Sequence, residues 1–214
     1  MGGLQYSAAL VSDALTDRPP TTTLERYIAA LPDGLNSHAG FQIKAGFSRS
    51  LLEELPAPPR GLPGAVGELV EHPPMISAWI PEVHHQALIL GVVERLYDGD
   101  QDAFLELMLR MQRRLLGRKI YAPLLQLFDP GRLLKQAAKR WTNFHRGAKL
   151  TVGQAGDQEV RVDISHPPGL FSTPGRHALA GGFRAAIEAG RTHEAEVDVV
   201  DAGTECTQFR LRWS

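Results

Sequence analysis

From Ser48 to Arg146 the apolar residues of this chain recur every three or four positions, and from Ala148 onward they alternate. The first spacing lines one stripe of a helix and the second one face of a strand. "IPEVHHQALILGVVERLY" opens with Pro81 and Glu82, suited to a first helical turn, and repeats Val83, Ala87, Leu90, Val93, Leu96 and Tyr97 at helical spacing. "DGDQDAFLELMLRMQRRLLG" carries Phe104, Leu107, Met108, Met111 and Leu115 on one stripe and stops at Gly117. A third helix is expected from Asp129-Pro130 to Gly147, with Leu133, Leu134, Ala137, Ala138, Trp141 and Phe144 on its buried side. "SRSLLEELP" reads as a short capped helix before the Pro- and Gly-rich loop "PAPPRGLPG", and "YAPLLQLF" as a short segment.

In the alternating part, "AKLTVGQ" and "QEVRVDIS" form a hairpin through "AGD", with Val160, Val162 and Ile164 opposite Glu159, Arg161 and Asp163. A helix from about Pro174 to Ala189 follows. "THEAEVDVVD" and "TECTQFRLRW" then give two more strands, the last with Thr207, Phe209, Leu211 and Trp213 on one face. The fold class is α+β, a helical half packed on a mostly antiparallel β-β-α-β-β sheet. Residues 1–35 read as an N-terminal helical extension whose second pattern, Thr23 to Leu31, follows Thr caps. Residues 36–214 read as a single domain, 36–147 its helical half and 148–214 its sheet half.

Composition narrows the function classes. With 214 residues, 43% of them hydrophobic, the chain can bury a full core. A formal charge of −1 supplies no global basic field for nucleic acid. A single cysteine, Cys206, excludes an internal disulfide and a Cys-only metal cage. No apolar run approaches the roughly 18 residues that span a bilayer, and the N-terminus lacks the basic start of a secretory signal. A soluble cytoplasmic protein is expected, with no membrane span.

The densest chemistry lies in "KRWTNFHRGAKL". Its aromatics fit the buried stripe, and Lys139, Arg140, His145 and Arg146 fit the carbonyl end of a helix, where each cation contributes roughly 0.3–1 kcal/mol. Gly147 suits a left-handed cap. The functional alternative has Arg140, His145 and Arg146 facing a cleft and meeting an anion. Other candidates are weaker. Adjacent His84 and His85 point about 100° apart on a helix and cannot share one metal unaided. His72, His166 and His177 flank Pro- or Gly-rich loops and read as solvated. Ser165, His145 and Asp163 could be combined on paper into a triad, but no G-x-S-x-G elbow supports it. Cys206 would need neighbouring cations to be a reactive thiolate. Gly181-Gly182 inside a helix suggests close backbone approach, each costing roughly 1 kcal/mol against Ala.

Several blocks carry a resemblance: "FQIKAGFSRSLLEEL", "WIPEVHHQA", "YAPLLQLFDPGRLLKQAAKRWTNFHRGAKLTV", "HPPGLF", "GGFRAAIEAGRTHEAEVDVV" and "FRLRW". Together, over about residues 40–213, they resemble a paralogous family of unknown function abundant in myxobacteria. The C-terminal order and "TECTQFRLRW" also resemble the vinyl-reductase-type ligand domains, whose fold is shared by haem-NO-binding-associated proteins and transport-particle subunits. That second resemblance implies a helical layer on an antiparallel sheet, frequent dimerisation, and an apolar pocket for a small ligand or acyl chain. Such domains carry two or more Cys near the end; only Cys206 stands here. The Tyr-x-Ser-x-Arg pattern of haem-NO sensors is absent, which puts a haem-based sensor low among the readings.

The expectation is a non-enzymatic ligand-binding or regulatory module with no cofactor, no catalytic residue and no metal ligand. Its apolar pocket is bordered by Trp141, Phe144, Phe171, Phe183 and Phe209, with Arg140, His145 and Arg146 at a polar mouth. The alternative is a homodimeric protein–protein interaction module, using Met75, Ile76, Trp79 and Ile80 as an exposed surface. A hydrolase is the least supported class.

Overall fold

A computed structural model describes residues 21–116, 129–153, 156, 158–190 and 194–214. The segment "YAPLLQLF", most of the "AGD" turn and the first helical pattern of the chain lie outside the described residues.

Helix α1 (Thr23–Ala30) starts at a capping box, in which Thr22 accepts from the Glu25 amide and Glu25 reaches back to the amide of Thr22. Its Leu24 is buried, and the Leu24 amide donates to Glu94 at 2.8 Å. Strand β1 (Gln42–Lys44) leads directly into α2 (Ala45–Glu54), and α3 (Gly64–Glu71) follows the Pro-rich loop. Strand β2 (Trp79–Pro81) runs straight into α4 (Glu82–Leu96). Helix α4 is buried on nearly every side, as its continuous apolar run requires. It forms the axis around which α1, α2, α3 and α5 (Gln101–Leu116) pack.

The sheet half keeps the expected order. Strands β4 (Lys149–Val152), β5 (Glu159–Ser165), β6 (Ala195–Ala202) and β7 (Cys206–Trp213) form an antiparallel sheet ordered β4-β5-β7-β6. Val160, Val162 and Ile164 face Leu211, Phe209 and Thr207 in register, and all six are buried. Helix α7 (Thr173–Glu188) covers this face, placing Phe183 edge-on to Phe209 at 5.3 Å between centroids. Gly181 and Gly182 do mark a close approach: a Cβ on either would sit 3.4 Å from the side-chain amide of Gln112 on α5. Gln112 donates to the Ala178 carbonyl at the same crossing.

The third predicted helix is shorter than its periodicity implied. Helix α6 covers Pro130–Arg140, capped by Asp129. A single 3₁₀ turn, Trp141–Asn143, then hands the chain to β3 (His145–Arg146). The short strand wins over the helical pattern because it pairs with β1, giving a second antiparallel sheet ordered β2-β1-β3. Gly147 is left-handed (φ +81°), but as the turn between β3 and β4, where a Cβ would strike the ring of Phe41. The change of helix type turns Phe144 outward while Trp141 stays buried, and Ala137, within α6, is exposed rather than on its buried side.

Candidate functional site

The three-stranded sheet separates two sets of side chains by the period-two rule. On the inner face Ile80, Ile43 and His145 stand opposite one another across the strands, all buried. On the outer face Trp79 stands opposite Lys44, and Gln42 lies between Pro81 and Arg146.

Beneath the inner face lies a buried polar chain that joins the two halves of the molecule. The Glu82 carboxylate accepts from Nδ1 of His145 at 3.2 Å and from Nε2 of Gln86 at 3.0 Å. The Gln86 carbonyl oxygen in turn accepts from the amide and hydroxyl of Ser172, at 3.1 and 2.9 Å. Ser172 Oγ then caps α7 by accepting from the Gly175 amide. Gly175 is required there, since any Cβ would overlap the Gln86 side chain. His85, one residue along α4, shares a 2.9 Å hydrogen bond with Ser48 of α2. The His145 ring stacks on Trp141 at 3.8 Å, and the Trp141 indole donates to the Ala148 carbonyl.

The titration of these groups follows from their surroundings. Burial alone would raise the Glu82 carboxyl, but the hydrogen bond and charge of His145, with His85 and Gln86, hold it below the usual carboxylate range. Burial pushes His85 down to about 4, so it is neutral at pH 7. Burial, together with Asp163 and Asp201, raises the Cys206 thiol, the opposite of an activated thiolate.

Around the same strands lie apolar side chains that water still reaches, one on α2, two in the loop before β2 and one just before β3. Phe47 is 36% exposed, Phe144 47%, Ile76 66% and Met75 74%. Phe47 and Phe144 meet edge to face at 6.0 Å, and Phe47 also lies against His145 at 5.8 Å. The Gly46 amide donates to the Ile76 carbonyl, and the absence of a side chain at Gly46 lets the 75–76 loop come this close. Beside them, Lys44 Nζ sits 3.9 Å and the Arg146 guanidinium 4.0 Å from the centroid of Trp79.

Of the residues singled out in the sequence, Trp141, Phe144, His145 and Arg146 gather at this place. His145 is inside, paired with Glu82, rather than at a mouth, because β3 turns it inward. Phe144 and Arg146 are outside, and Arg140 is exposed near the end of α6. Phe171, Phe183 and Phe209 lie in the core of the larger sheet, packed with Leu170, Ile164 and Leu211. Three surface clefts are lined by other residues; that of about 460 Å³ between α5, α7 and β6 is floored by Leu105, Met108, Leu109, Ala178 and Val197. The reading of His166 as solvated is corrected: it is buried, with Nε2 2.9 Å from the Thr207 hydroxyl. His72 and His177 are exposed, although His177 sits on α7 rather than in a loop. Of the proposed surface set, Met75 and Ile76 are exposed, Trp79 is half-covered and Ile80 is buried. The carboxylate that meets His145 is Glu82, not Asp163, and Ser165 lies on β5 of the other sheet.

Glu82, Gln86, Ser48, Phe47 and Lys44 were not picked out beforehand. Glu82 and Gln86 are four apart and point one way on a helix whose middle, Ala87 to Val93, is apolar, which is a usable signal.

Residues 106–214, just over half of the chain, match the model of the family described as "Protein of unknown function (DUF2378)". The chain belongs to that family. No curated protein matches it. Two solved structures are similar in fold: the crystal structure of a point mutant of the Fe(II) unliganded H-NOX protein from K. algicida, at TM-score 0.50, and that of the unmutated protein, at 0.48. Each shows 12% identity and covers 80% of this chain and 97% of its own. At this identity the first of them, at TM-score 0.50, shows a likeness of fold and nothing further.

Proposed function

We propose that this member of the unknown-function family is a non-enzymatic regulatory module that docks a protein partner on the outer surface of its β2-β1-β3 sheet. One observation carries the reading. Of five exposed large apolar side chains among the described residues, four (Phe47, Met75, Ile76 and Phe144) lie around β1 and β3, Phe47 against Phe144 and the 75–76 loop against Gly46. Exposed apolar groups scattered singly are ordinary, whereas a cluster rimmed by charge marks an interaction site. The buried chain below supports it, since Glu82 and Gln86 fix His145 of β3, against which Phe47 lies and which follows Phe144.

Selection of displayed random peptides on the purified protein tests the reading. Peptides recovered on the wild type should bind a Phe144→Ser/Met75→Ser variant at least about tenfold more weakly, the loss of roughly 1.4 kcal/mol of anchor contacts. Recovered peptides that bind both proteins equally would overturn it, as would no enrichment.

The α5–α7–β6 cleft favours a second reading, a small apolar ligand held against Met108 and Val197. Native mass spectrometry of the purified protein would show a retained mass that an Ala178→Trp variant lacks. The similar H-NOX protein is an Fe(II) protein; the reading proposed here assigns no metal to this chain. His84, His85 and His145 each engage a ring nitrogen with Leu35, Ser48 and Glu82, and His166 engages both. Among the described residues no three His, Cys, Asp or Glu side chains gather as a metal-binding group. No helix among them is long and apolar enough to cross a membrane.

A further inference from the structure

We infer that the partner is an acidic amphipathic protein segment, which sets a carboxylate against Lys44 and Arg146 over Trp79 and apolar side chains against Phe47, Phe144 and Met75. This deepens the docking reading and rests on it.

The cations are held ready and left uncompensated. Lys44 donates one of its three ammonium hydrogens to the Ser77 carbonyl at 2.6 Å, and Arg146 donates to Gln42 Oε1 at 3.2 Å. Both partners are neutral. Among the described residues no carboxylate lies within ion-pair distance of either cation, and both stand over one ring, Trp79. Two like charges brought to one indole ring repel each other, so an arriving carboxylate relieves that repulsion as well as forming new hydrogen bonds. The ring orients both cations before binding, which lowers the ordering cost.

The surroundings choose among possible occupants. A free anion would leave Phe47, Phe144, Ile76 and Met75 in water, so the carboxylate belongs to a molecule with apolar groups beside it. A second copy docking through a two-fold axis placed at Trp79 would bring Lys44 and Arg146 against the same cations of its mate. An anionic membrane surface would have to hold a chain of formal charge −1 with few cations at this face, each worth about 1 kcal/mol. Phe47 and Phe144 are also packed edge-on against each other and partly covered, so neither ring projects freely for insertion into a bilayer.

The test uses the peptides recovered on the wild-type protein. Their consensus should contain Asp or Glu within one or two turns of Leu, Phe or Trp. Affinity should fall about tenfold or more in a Lys44→Glu/Arg146→Glu variant and weaken as salt rises from about 50 to 500 mM. A Lys44→Met/Arg146→Met variant, which keeps bulk over Trp79, should lose the salt dependence while keeping the wild-type melting temperature. Peptides that lose binding in Phe144→Ser/Met75→Ser but ignore the charge reversal would leave docking standing and overturn the acidic partner. A basic or uncharged consensus would overturn it too. Peptides indifferent to both variants, or none recovered, would sink docking itself. Cosedimentation with vesicles of 30% phosphatidylserine that depends on Lys44 and Arg146, with no peptide enrichment, would assign the face to lipid and overturn both. A dimer in solution that Lys44→Glu/Arg146→Glu dissociates would assign it to a second copy, with the same consequence.

Discussion

The two faces of the β2-β1-β3 sheet carry residues that alternate along the same three short strands, yet they meet opposite conditions. Inward, Ile43, Ile80 and His145 are buried, and the polar one is paired. Outward, Lys44, Arg146 and Trp79 are within reach of water, and Phe144, the residue before β3, is nearly half exposed. Alternation thus lets adjacent residues answer to different demands, the inner set to folding and the outer set, on the proposed reading, to recognition. Mutations can pull the two apart.

The largest effect is expected from Glu82→Ala. It strands Nδ1 of His145 and Nε2 of Gln86 in the interior, and breaking a buried charged pair costs about 3–5 kcal/mol. Urea unfolding followed by circular dichroism would measure it. Ile43→Ala on the same face should cost about 2–5 kcal/mol by leaving a cavity beneath the sheet.

Acid should weaken the inner side before any covalent change. His85 binds its proton near 6.5 in the unfolded chain and near 4 in the folded one. Below 6.5 the unfolded state therefore takes up a proton that the folded state refuses. Stability present above pH 6.5 is lost as pH falls toward 4, by roughly 3 kcal/mol at the bottom of that window. Glu82, its folded carboxyl lowered, adds a loss in the same direction once pH passes below its unfolded value of 4.5. Unfolding midpoints at pH 7 and pH 5 should differ, and a His85→Asn variant should shrink the difference. Ser172→Ala removes the cap of α7 and one donor to Gln86, for about 1–2 kcal/mol.

Much of this was legible in the sequence. The helices α4, α5 and α7 and the four-stranded sheet follow from long periodic runs. The three-residue strands "QIK" and "WIP" do not, because alternation over three positions is indistinguishable from chance. Extending the α6 stripe four residues past Arg140 puts Phe144 inside, whereas the pairing of β3 with β1, about a hundred residues away in sequence, ends the helix first. Glu82 satisfied a simpler local rule, an acidic residue in a first helical turn, and its burial depends on His145, which lies far along the chain. The site was thus half visible: its aromatic and cationic members were noticed, while the residues that hold or flank them became apparent only through tertiary contact.

The most direct test compares neighbours across β3, measuring unfolding free energy and peptide affinity together in Phe144→Ser and His145→Ala. The account predicts that Phe144→Ser stays within about 0.5 kcal/mol of wild-type stability while losing about tenfold or more in affinity. His145→Ala should instead lose about 3 kcal/mol or more of stability. A Phe144→Ser protein that unfolds as easily as His145→Ala, or that binds as tightly as wild type, would contradict it.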